Sequence, residues 1–454
     1  MNKLPLLLLI CMMPAFAITC SGDITSALQA AVNSAADGTT IPITAGSCSM
    51  GGVRWANKNI TILGAGKDLT IITASSGFEV TISSTAKAAW RLSGFTLQSS
   101  TAARAALQIN AADAPSYTYG WRVDHVNFNY TGDTPSGGII IYGATYGLFD
   151  SCDFSFIHSV WIYYEMAHYT GSSTADPNYE QCWGSPTITQ VCGRYNLSLP
   201  LDLGTEKAIY FEDSTFTSKA AGQAFFDTSY GGARVVFRNS VLTGGFLYAH
   251  WTRTGEINLF KIELYNNTIV GNANWNEYPV RFEGGTGVIF NNQVTGYSGG
   301  WFVDDRRGGG GESSGILSSC DGTKAWDGNA GDASAPGWPC LGQIGRTFGK
   351  TWAQIRAGDK LGSAPMYAWN NGAQAGCKTG VSCTNATNIF VGWGSTAYVK
   401  STPHANGEVD FVNNGTTPKP GYTPYTYPHP LRATGTGGGS QPPIPPPGMS
   451  AVVR

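Results

Sequence analysis

The middle of the chain repeats a short polar-then-apolar phrase at nearly constant intervals. The phrases DSTFTSK, NSVLTGG, NNTIVGN and NNQVTGY begin at Asp213, Asn239, Asn266 and Asn291. The apolar residues that close successive phrases lie 26, 62, 26, 27 and 25 residues apart, and they are Phe128, Phe154, Phe216, Leu242, Ile269 and Val294. One period therefore runs through this region, and the interval of 62 residues is one period plus an insertion.

Each repeat contains at least two runs that fit a strand better than a helix. Runs such as RVVFRNSVL and FKIELYNNTI alternate apolar and polar residues with a period of two. A second run, such as FLYAH or PVRFEGG, follows about ten residues after most of the closing apolar residues. Short strands at this period, with Gly, Asn and Asp at the corners, are typical of the coils of a parallel β-helix. A β-propeller is the alternative, but its blades need about 40 to 45 residues each.

The asparagines of the repeated phrase are interpreted as corner residues. Asn tolerates unusual backbone angles and bonds to nearby backbone groups. Asp124 and His125, in the run WRVDHVNF, are interpreted as structural in the same way, because alternation puts Asp124 at an ordinary strand position.

A single amphipathic helix is predicted near the start, in DITSALQAAVNSAADG. Asp23 is the expected N-cap, Ile24, Leu28 and Val32 have helical spacing, and Gly38 is the expected stop. Such a helix would cover the open end of a solenoid.

The run from this helix through IPITAG to ITILGAG resembles the entry to the pectin-lyase-like superfamily of secreted right-handed β-helices. The resemblance extends over residues 23–305. It implies an all-β chain folded as a right-handed parallel β-helix, with an N-terminal capping helix and an irregular C-terminal wrap.

Four segments are predicted. Residues 1–17 have one positive charge followed by LPLLLLICMMPAFA, which indicates a signal peptide cleaved after Ala17 and a protein secreted to the medium or the periplasm. No other segment is expected to span a membrane. Residues 18–308 form the β-helix with an insertion at 166–205, residues 309–433 form an irregular disulfide-containing region packed on it, and residues 434–454 form a Gly- and Pro-rich tail.

The cysteines of the expected mature chain fall into close couples, which in an oxidising compartment predict disulfides. Metal binding is the alternative, but no CxxC or Cys/His spacing supports it. Cys152 is left over in an apolar phrase and is expected to be a buried free thiol. The couples are Cys20 with Cys48, Cys182 with Cys192, Cys320 with Cys340, and Cys377 with Cys383.

The composition and net charge exclude some classes of binding partner. Charged residues make up 13% of the chain and the net charge is −2, so neither nucleic acid nor an anionic membrane surface is expected. The long outer groove of a solenoid suits an extended polysaccharide, and a monomer is expected.

Charged residues recur at equivalent positions of the second predicted strand in successive repeats, and they are the candidate site residues. Periodic placement should bring these residues onto one face of consecutive coils, as one column. Trp183, in the insertion, is expected to stack on a sugar ring, and Arg306 lies just beyond the column. The column members are Glu165, Asp227, His250, Arg281 and Asp304.

Arg281 is the strongest single candidate, because an arginine grips a carboxylate with two parallel bonds. The runs FKIELYNNT, which contains Lys261, and VRFEGG, which contains Arg281, resemble chondroitinase B and the related alginate lyases. The resemblance implies a lyase that uses both residues. No acidic cluster of calcium ligands can be picked out, so no metal or cofactor is expected, although calcium with unknown ligands stays open.

These residues predict a polysaccharide lyase that cleaves a uronate polymer by β-elimination. Arg281 would neutralise the carboxylate, Lys261 or His250 would act as base, and Tyr230 would act as acid. Asp227 is counted with the catalytic residues. The residues expected to bind substrate are Glu165, Tyr230, Asp304, Arg306 and Trp183. Two alternatives stay open: a glycoside hydrolase that uses carboxylates such as Asp227, Asp304 and Asp305, and a non-catalytic glycan-binding or adhesive surface protein.

Overall fold

The computed structural model describes the chain in segments. They contain helix α1 (Thr25–Ser34) and 3-10 helices at Thr85–Lys87 and Pro430–Arg432. The described residues are 17–99, 105–111, 117–130, 138–143, 145–156, 160–163, 200–218, 224–229, 233–249, 259–271, 278–297, 300–303, 344–347, 362–375, 389–391, 399, 401–403 and 407–433.

The remaining elements are strands. The first sixteen are β1 (Ser21–Asp23), β2 (Thr40–Ile43), β3 (Gly46–Met50), β4 (Val53–Ala56), β5 (Thr61–Gly64), β6 (Thr70–Ala74), β7 (Phe78–Ile82), β8 (Arg91–Ser99), β9 (Leu107–Ala111), β10 (Thr118–Tyr130), β11 (Ile139–Tyr142), β12 (Thr145–Asp150), β13 (Asp153–Phe156), β14 (Val160–Tyr163), β15 (Ile209–Glu212) and β16 (Thr215–Ser218). The others are β17 (Ala224–Ser229), β18 (Ala233–Arg238), β19 (Val241–Thr243), β20 (Phe246–Ala249), β21 (Leu259–Tyr265), β22 (Thr268–Val270), β23 (Val280–Phe282), β24 (Thr286–Phe290), β25 (Gln293–Thr295), β26 (Trp301–Val303), β27 (Arg346–Thr347), β28 (Gly362–Ser363), β29 (Met366–Trp369), β30 (Gly372–Ala375), β31 (Ile389–Val391) and β32 (Phe411–Gly415).

Most of these strands pair in parallel and form three ladders. The first ladder runs β2, β5, β8, β10, β12, β15, β18, β21, β24, β29, β32, and the second runs β1, β3, β6, β8, β10, β13, β16, β19, β22, β25, β30. These two ladders belong to one sheet, because β8 and β10 are long enough to take part in both. The third ladder is a separate sheet in the order β4, β7, β9, β11, β14, β17, β20, β23, β26, β31. The prediction of an all-β chain with long parallel sheets is confirmed.

The repeat predicted from the sequence sets the register of the second ladder. The apolar residues that close the repeated phrases are direct partners on successive strands, from Phe128 to Val294. Their side chains are buried, and Phe128, Phe154 and Phe216 stack with ring centroids 5.5 and 4.4 Å apart. Residues one repeat apart in sequence are therefore spatial neighbours in the core.

The corner between the first and second ladders depends on the asparagines, as predicted. The first residue of the phrase has a positive φ, for example 53° at Asn239, 58° at Asn266 and 55° at Asn291. Asn and Asp occupy this left-handed region at lower cost than most residues. His125, within β10, and Ser151, between β12 and β13, hold the same conformation in earlier repeats. The corner therefore recurs at the same point of each repeat.

The second asparagine of the phrase points inward and forms a ladder of its own. Asn267, Asn292 and Asn371 are buried. The side-chain oxygen of Asn292 accepts from the backbone N–H and the side-chain amide of Asn267, at 3.1 and 3.0 Å. Its amide nitrogen donates to the carbonyl of Leu264 at 2.9 Å, and Asn371 repeats the arrangement one rung later. Buried backbone groups at the corner are satisfied in this way.

The N-terminal part follows the sequence except at the start of the helix. Helix α1 buries Leu28 and Val32, as predicted, but its N-cap is Ile24 rather than Asp23. The Asp23 carboxylate accepts from the backbone N–H of Thr25 at 2.8 Å, one residue too early to cap the helix. The helix ends before the predicted stop, and Gly38 follows it with φ of 81°. The predicted Cys20–Cys48 disulfide is present, and the other three predicted disulfides lie outside the described residues. Cys152 is a buried free thiol, as predicted.

A C-terminal strap, residues 418–433, lies across the outer side of the first ladder. Tyr422 packs edge-on against Phe290 and Trp369, with ring centroids 5.8 and 6.2 Å away. Arg432, at the far end of the strap, bonds to Glu212 at 2.8 Å. The strap thus contacts strands that are far apart in sequence and covers a face of the sheet that has both an apolar cluster and buried charges.

Candidate active site

The outer face of the third ladder contains the column of residues that was predicted from the sequence to form the site. Asp227, Tyr248 and Arg281 are direct partners on β17, β20 and β23. Parallel strands stand about 4.8 Å apart, so these residues occupy consecutive rungs of one face. The residues of this column whose side chains are described are Arg54, Glu79, Gln108, Ile140, Asp227, Tyr248 and Arg281.

Arg281 is held by two neighbours. Its guanidinium lies 2.7 Å from Oε1 of Glu283, two residues further along the chain. The Tyr248 hydroxyl donates to the same carboxylate oxygen at 2.8 Å, and the guanidinium carbon lies 5.1 Å from the centre of the Tyr248 ring. Opposite charge, a shared oxygen and a cation–π contact therefore fix the orientation of the arginine fork.

The three side chains of this cluster differ in their exposure to solvent. Glu283 is fully buried, the Arg281 side chain keeps 11% of its exposure, and Tyr248 is half-buried. Phe246 and Tyr278 pack beside Tyr248 and form an apolar border, with Phe246 centred 5.6 Å from each of the other two rings. The arginine is therefore held in one orientation at a largely buried position, and the carboxylate that anchors it is withdrawn from water.

The register assigns neighbours to Arg281 that differ from those expected. Tyr248, rather than His250, lies beside it on one side, and Phe302, rather than Asp304, lies on the other. His250 follows two residues after Tyr248 in the chain, and it lies outside the described residues. Five other predicted site residues also lie outside them, namely Glu165, Trp183, Tyr230, Asp304 and Arg306.

Lys261 lies in a different sheet from Arg281. It belongs to β21 of the first ladder, where its partners are Arg234 and Thr286. The side chain is fully buried, and the ammonium group bonds to Glu263 at 3.1 Å and to the carbonyl of Asp202. Burial lowers the pKa of Lys261, against the attraction of Glu263. These contacts are those of a buried ion pair beneath the strap and the loop at Asp202.

A second charged cluster was not foreseen, and it lies between the first ladder and the strap. Arg122 bonds to Asp150 at 2.7 Å, and Arg238 bonds to Glu212 at 2.5 Å. Arg432 of the strap joins the two pairs, since it lies 3.5 Å from Asp150 and 2.8 Å from Glu212. Because Arg432 belongs to the strap and its ion-pair partners belong to the first ladder, this cluster attaches the strap to the sheet.

Asp124 and His125, interpreted from the sequence as structural, have structural contacts. Asp124 is buried and bonds to Arg91 at 2.6 and 2.7 Å and to His125 at 2.9 Å. Burial opposes its ionisation, but the bonds from Arg91 and His125 and the charge of Arg122 outweigh burial. The pKa of Asp124 therefore lies well below its usual range.

His429 is the histidine of the strap, and it is buried among cations. Burial, followed by the charges of Arg238, Arg122 and Arg432, lowers its pKa to about 3. Its Nδ1 accepts a bond from the backbone N–H of Leu431 at 3.1 Å. The imidazole is therefore neutral near neutral pH.

Tyr248 and Glu283 are the members of the Arg281 cluster that sequence reasoning missed. Glu283 could have been found from alternation, because residues two apart on a strand share a face. Tyr248 could have been found only from the register, because the interval between β20 and β23 includes residues that are not part of a strand.

Neither a metal site nor a membrane span emerges from the described segments. Within them, no group of three or more His, Cys, Asp or Glu side chains is arranged to hold a metal ion. Also within them, no helix has both the length and the apolar character needed to cross a bilayer.

Comparisons with known proteins give no family for this chain. No protein-family model matches it, and no curated protein matches it in sequence. Among solved structures it is similar to an alginate lyase from Paenibacillus sp. str. FPU-7, at 16% sequence identity and a TM-score of 0.34. The match covers 63% of this chain and 90% of that chain. At these values the similarity carries no argument about activity, so any function rests on the site itself.

Proposed function

We propose that this chain is a secreted carbohydrate-active enzyme, and that it is a polysaccharide lyase acting on a uronate-containing polymer by β-elimination. The single observation that carries the proposal is the Arg281 cluster on the outer face of the third ladder. There a largely buried arginine, whose side chain keeps 11% of its exposure, is oriented by a buried carboxylate and a tyrosine. A uronate carboxylate is the complementary group for such a fork.

The architecture proposed for this enzyme is a right-handed parallel β-helix. Support comes from the three parallel ladders and from a corner that recurs once per repeat. The resemblance of the N-terminal run to secreted β-helices supports the same handedness. Secretion is supported by the Cys20–Cys48 disulfide and by the apolar run before Ala17.

The proposed roles follow from what each group can do. Arg281 neutralises the uronate carboxylate, which makes the neighbouring C–H acidic enough to lose its proton. His250, two residues after Tyr248, is the proposed base, since an imidazole exchanges protons near neutral pH. The base removes that proton, the C–C double bond forms, and the bond to the leaving glycosidic oxygen breaks.

A tyrosine supplies the proton that the leaving oxygen takes up. Tyr248 is the candidate among the described residues, because its hydroxyl lies beside Arg281 and is held by Glu283. Tyr230 remains the candidate that the sequence suggested. Lys261 is a less suitable base than His250, because its ammonium group is fully buried against Glu263.

The test is a panel of uronate polymers incubated with the full-length protein. β-Elimination leaves unsaturated ends that absorb in the ultraviolet. Removing a preorganised charge from the transition state lowers kcat by about 10² to 10³, and we expect a loss of this size for Arg281→Ala. Arg54→Ala is the matched control, because Arg54 belongs to the same column and is exposed with a weak partner at 3.9 Å.

The outcomes separate the alternatives. Ultraviolet-absorbing ends that Arg281→Ala abolishes and Arg54→Ala leaves intact support the lyase. New reducing ends without that absorbance indicate a hydrolase instead. Binding to the polymers without any cleavage indicates a glycan-binding surface protein and overturns the proposed activity.

A further inference from the structure

The strap ends in one turn of 3-10 helix that is capped by a histidine. The turn is Pro430–Arg432, and His429 precedes it directly. Nδ1 of His429 accepts from the backbone N–H of Leu431 at 3.1 Å. An imidazole nitrogen accepts only while it carries no proton, so this bond requires the neutral ring. The geometry of the turn therefore specifies one protonation state of its cap.

The capped turn also positions Arg432, which fixes the strap to the first ladder. The guanidinium lies 2.8 Å from Glu212 and bonds to Asp213. The carbonyl of Arg432 accepts from Arg122 at 3.2 Å. These contacts need the backbone of the turn in place, so they depend on the bond that His429 accepts.

The charges around the imidazole oppose a second proton on it. Arg238, Arg122 and Arg432 surround the ring from β18, β10 and the strap, and burial adds to their effect. Glu212 accepts from the backbone N–H of His429 at 3.2 Å, but its carboxylate already pairs with Arg238 and Arg432. A protonated ring would therefore be one more cation in a buried site whose carboxylate is engaged.

Tyrosine rings enclose the rest of the imidazole. Tyr210, Tyr425 and Tyr119 lie with ring centroids 4.7, 5.3 and 6.4 Å from that of His429. Burial raises the pKa of Tyr210 and Tyr119, so these phenols supply no negative charge. Among the described residues, Nε2 of His429 has no hydrogen-bond partner. The tyrosines therefore leave a protonated ring uncompensated.

We propose that the strap is a latch that acid opens. Protonation of His429 removes the acceptor of the Leu431 N–H and adds a positive charge to a site that already holds cations. The turn then loosens, and Arg432 leaves Glu212. The histidine is the trigger, and the ion pairs of Arg432 are the latch.

The size of the effect follows from linkage. The pKa of His429 is about 3 in the closed strap, against an ordinary value of 6.5 that applies once the ring reaches water. The open strap binds the proton more readily, so its population rises as pH falls below 6.5 toward 3. Between pH 7.5 and pH 5.0 we expect the ratio of open to closed strap to rise about thirtyfold.

Other acidic groups of the latch respond to pH as well. Burial raises the pKa of Asp150 and of Asp213, and protonation of either carboxyl would weaken its pairing with Arg432. A variant that changes His429 alone keeps both carboxyls. Such a variant therefore separates the trigger from the rest of the network.

Opening of the latch would uncover part of the outer side of the first ladder. There Arg238 lies 4.9 Å from the centre of the Tyr210 ring and donates to the Tyr265 hydroxyl at 3.1 Å. Access to this face would thus depend on pH. The inference is independent of the proposed lyase activity, because Arg281 belongs to the other sheet.

The experiment is hydrogen–deuterium exchange of the full-length protein at pH 7.5 and pH 5.0, followed by mass spectrometry and corrected for the intrinsic effect of pH on amide exchange. The amides of His429, Leu431, Arg432 and Ala433 are hydrogen-bonded in the closed strap, so their exchange reports its opening. We expect their protection to fall about thirtyfold at the lower pH. Peptides from β15 and β18, beneath the strap, should stay protected over the same period.

His429→Asn is the decisive variant, because its side-chain oxygen can accept from Leu431 but does not titrate. We expect its strap protection to change less than about threefold between the two pH values. His429→Gln serves the same purpose if the first variant fails to fold. His125→Asn is the matched control, since His125 lies on β10 beside Asp124, and it should behave like the unaltered protein.

Three results would overturn the proposal. The first is strap protection that does not depend on pH in the unaltered protein. The second is an equally steep loss of protection in the folded His429 variants. The third is simultaneous exchange of the strap and of β15, which would mean that acid unfolds the whole protein rather than releasing the strap.

Discussion

At the scale of single residues, buried groups in this protein are stabilised in one ionisation state. Asp124 and His429 are examples of opposite kinds. The carboxylate is kept charged by Arg91, Arg122 and His125, whereas the imidazole is kept neutral by burial and by surrounding arginines. Each side chain therefore ties the free energy of unfolding to pH.

The pH dependence from His429 has a definite sign. Its pKa is about 3 in the folded protein against an ordinary value of 6.5. The unfolded chain therefore binds the proton more readily between these values. The stabilisation is complete above pH 6.5 and is lost as pH falls toward 3.

The unfolded chain protonates His429 between pH 7 and pH 5, whereas the folded protein does not. We expect this difference to lower the unfolding free energy by roughly 2 kcal/mol over that range. Urea denaturation at several pH values in this window measures the loss. His429→Asn is the comparison variant, because its side-chain oxygen can still accept from Leu431 without titrating. An equally steep decline in that variant would show that other groups cause the pH dependence.

At the scale of elements, the inner asparagine ladder joins the rungs at the corner. Asn292 accepts from two groups of Asn267 and donates to the carbonyl of Leu264. We expect Asn292→Ala to lower the unfolding free energy by about 2–4 kcal/mol, because several buried polar groups lose their partner. The urea midpoint measures the change.

Asn33→Ala is the control for the ladder. Asn33 is exposed on helix α1, and its side-chain oxygen accepts a single bond, from Gln29 at 2.8 Å. We expect this variant to stay within about 0.5 kcal/mol of the unaltered protein. Equal effects of the two substitutions would mean that the ladder contributes little to stability.

At the scale of the whole molecule, the strap ties the last part of the described chain to strands of the first ladder. Arg432 bonds to Glu212 and Asp213 and lies near Asp150. Removing one partner of a buried charge network leaves the others uncompensated. We therefore expect Arg432→Ala to cost roughly 2–4 kcal/mol of stability.

Limited proteolysis followed by mass spectrometry measures whether the strap has loosened. We expect Arg432→Ala to be cleaved within residues 418–433 earlier than the unaltered protein. Arg54→Ala is again the control, since its ion pair is exposed and weak. Identical cleavage of all three proteins would contradict the role given to Arg432.

Much of the fold follows from the sequence because it is periodic. A repeat of about 26 residues fixes which apolar residues stack, from Phe128 to Val294, and the phrase before each of them fixes the corner. These are local patterns, and each rung repeats the constraints of the one before. The disulfide between Cys20 and Cys48 and the burial of Cys152 follow from spacing and apolar context.

Which residues lie beside Arg281 could be learned only from the tertiary structure. Asp227 and Arg281 were both selected from the sequence. Tyr248 is the strand partner of both, and irregular segments between the strands conceal this register in the sequence. Lys261 and Arg281 lie only 20 residues apart in sequence. They nevertheless belong to different sheets, because the chain turns a corner between them.

The sequence by itself determined the period, the strands, the corner residues and the apolar column, because these depend on residues close in sequence and on repetition. The tertiary structure decided which charges meet across long separations. The bonds from Arg432 to Glu212 and from Tyr422 to Glu263 join residues 220 and 159 positions apart. No periodic pattern encodes such pairs, since the strap that supplies one partner has no repeat.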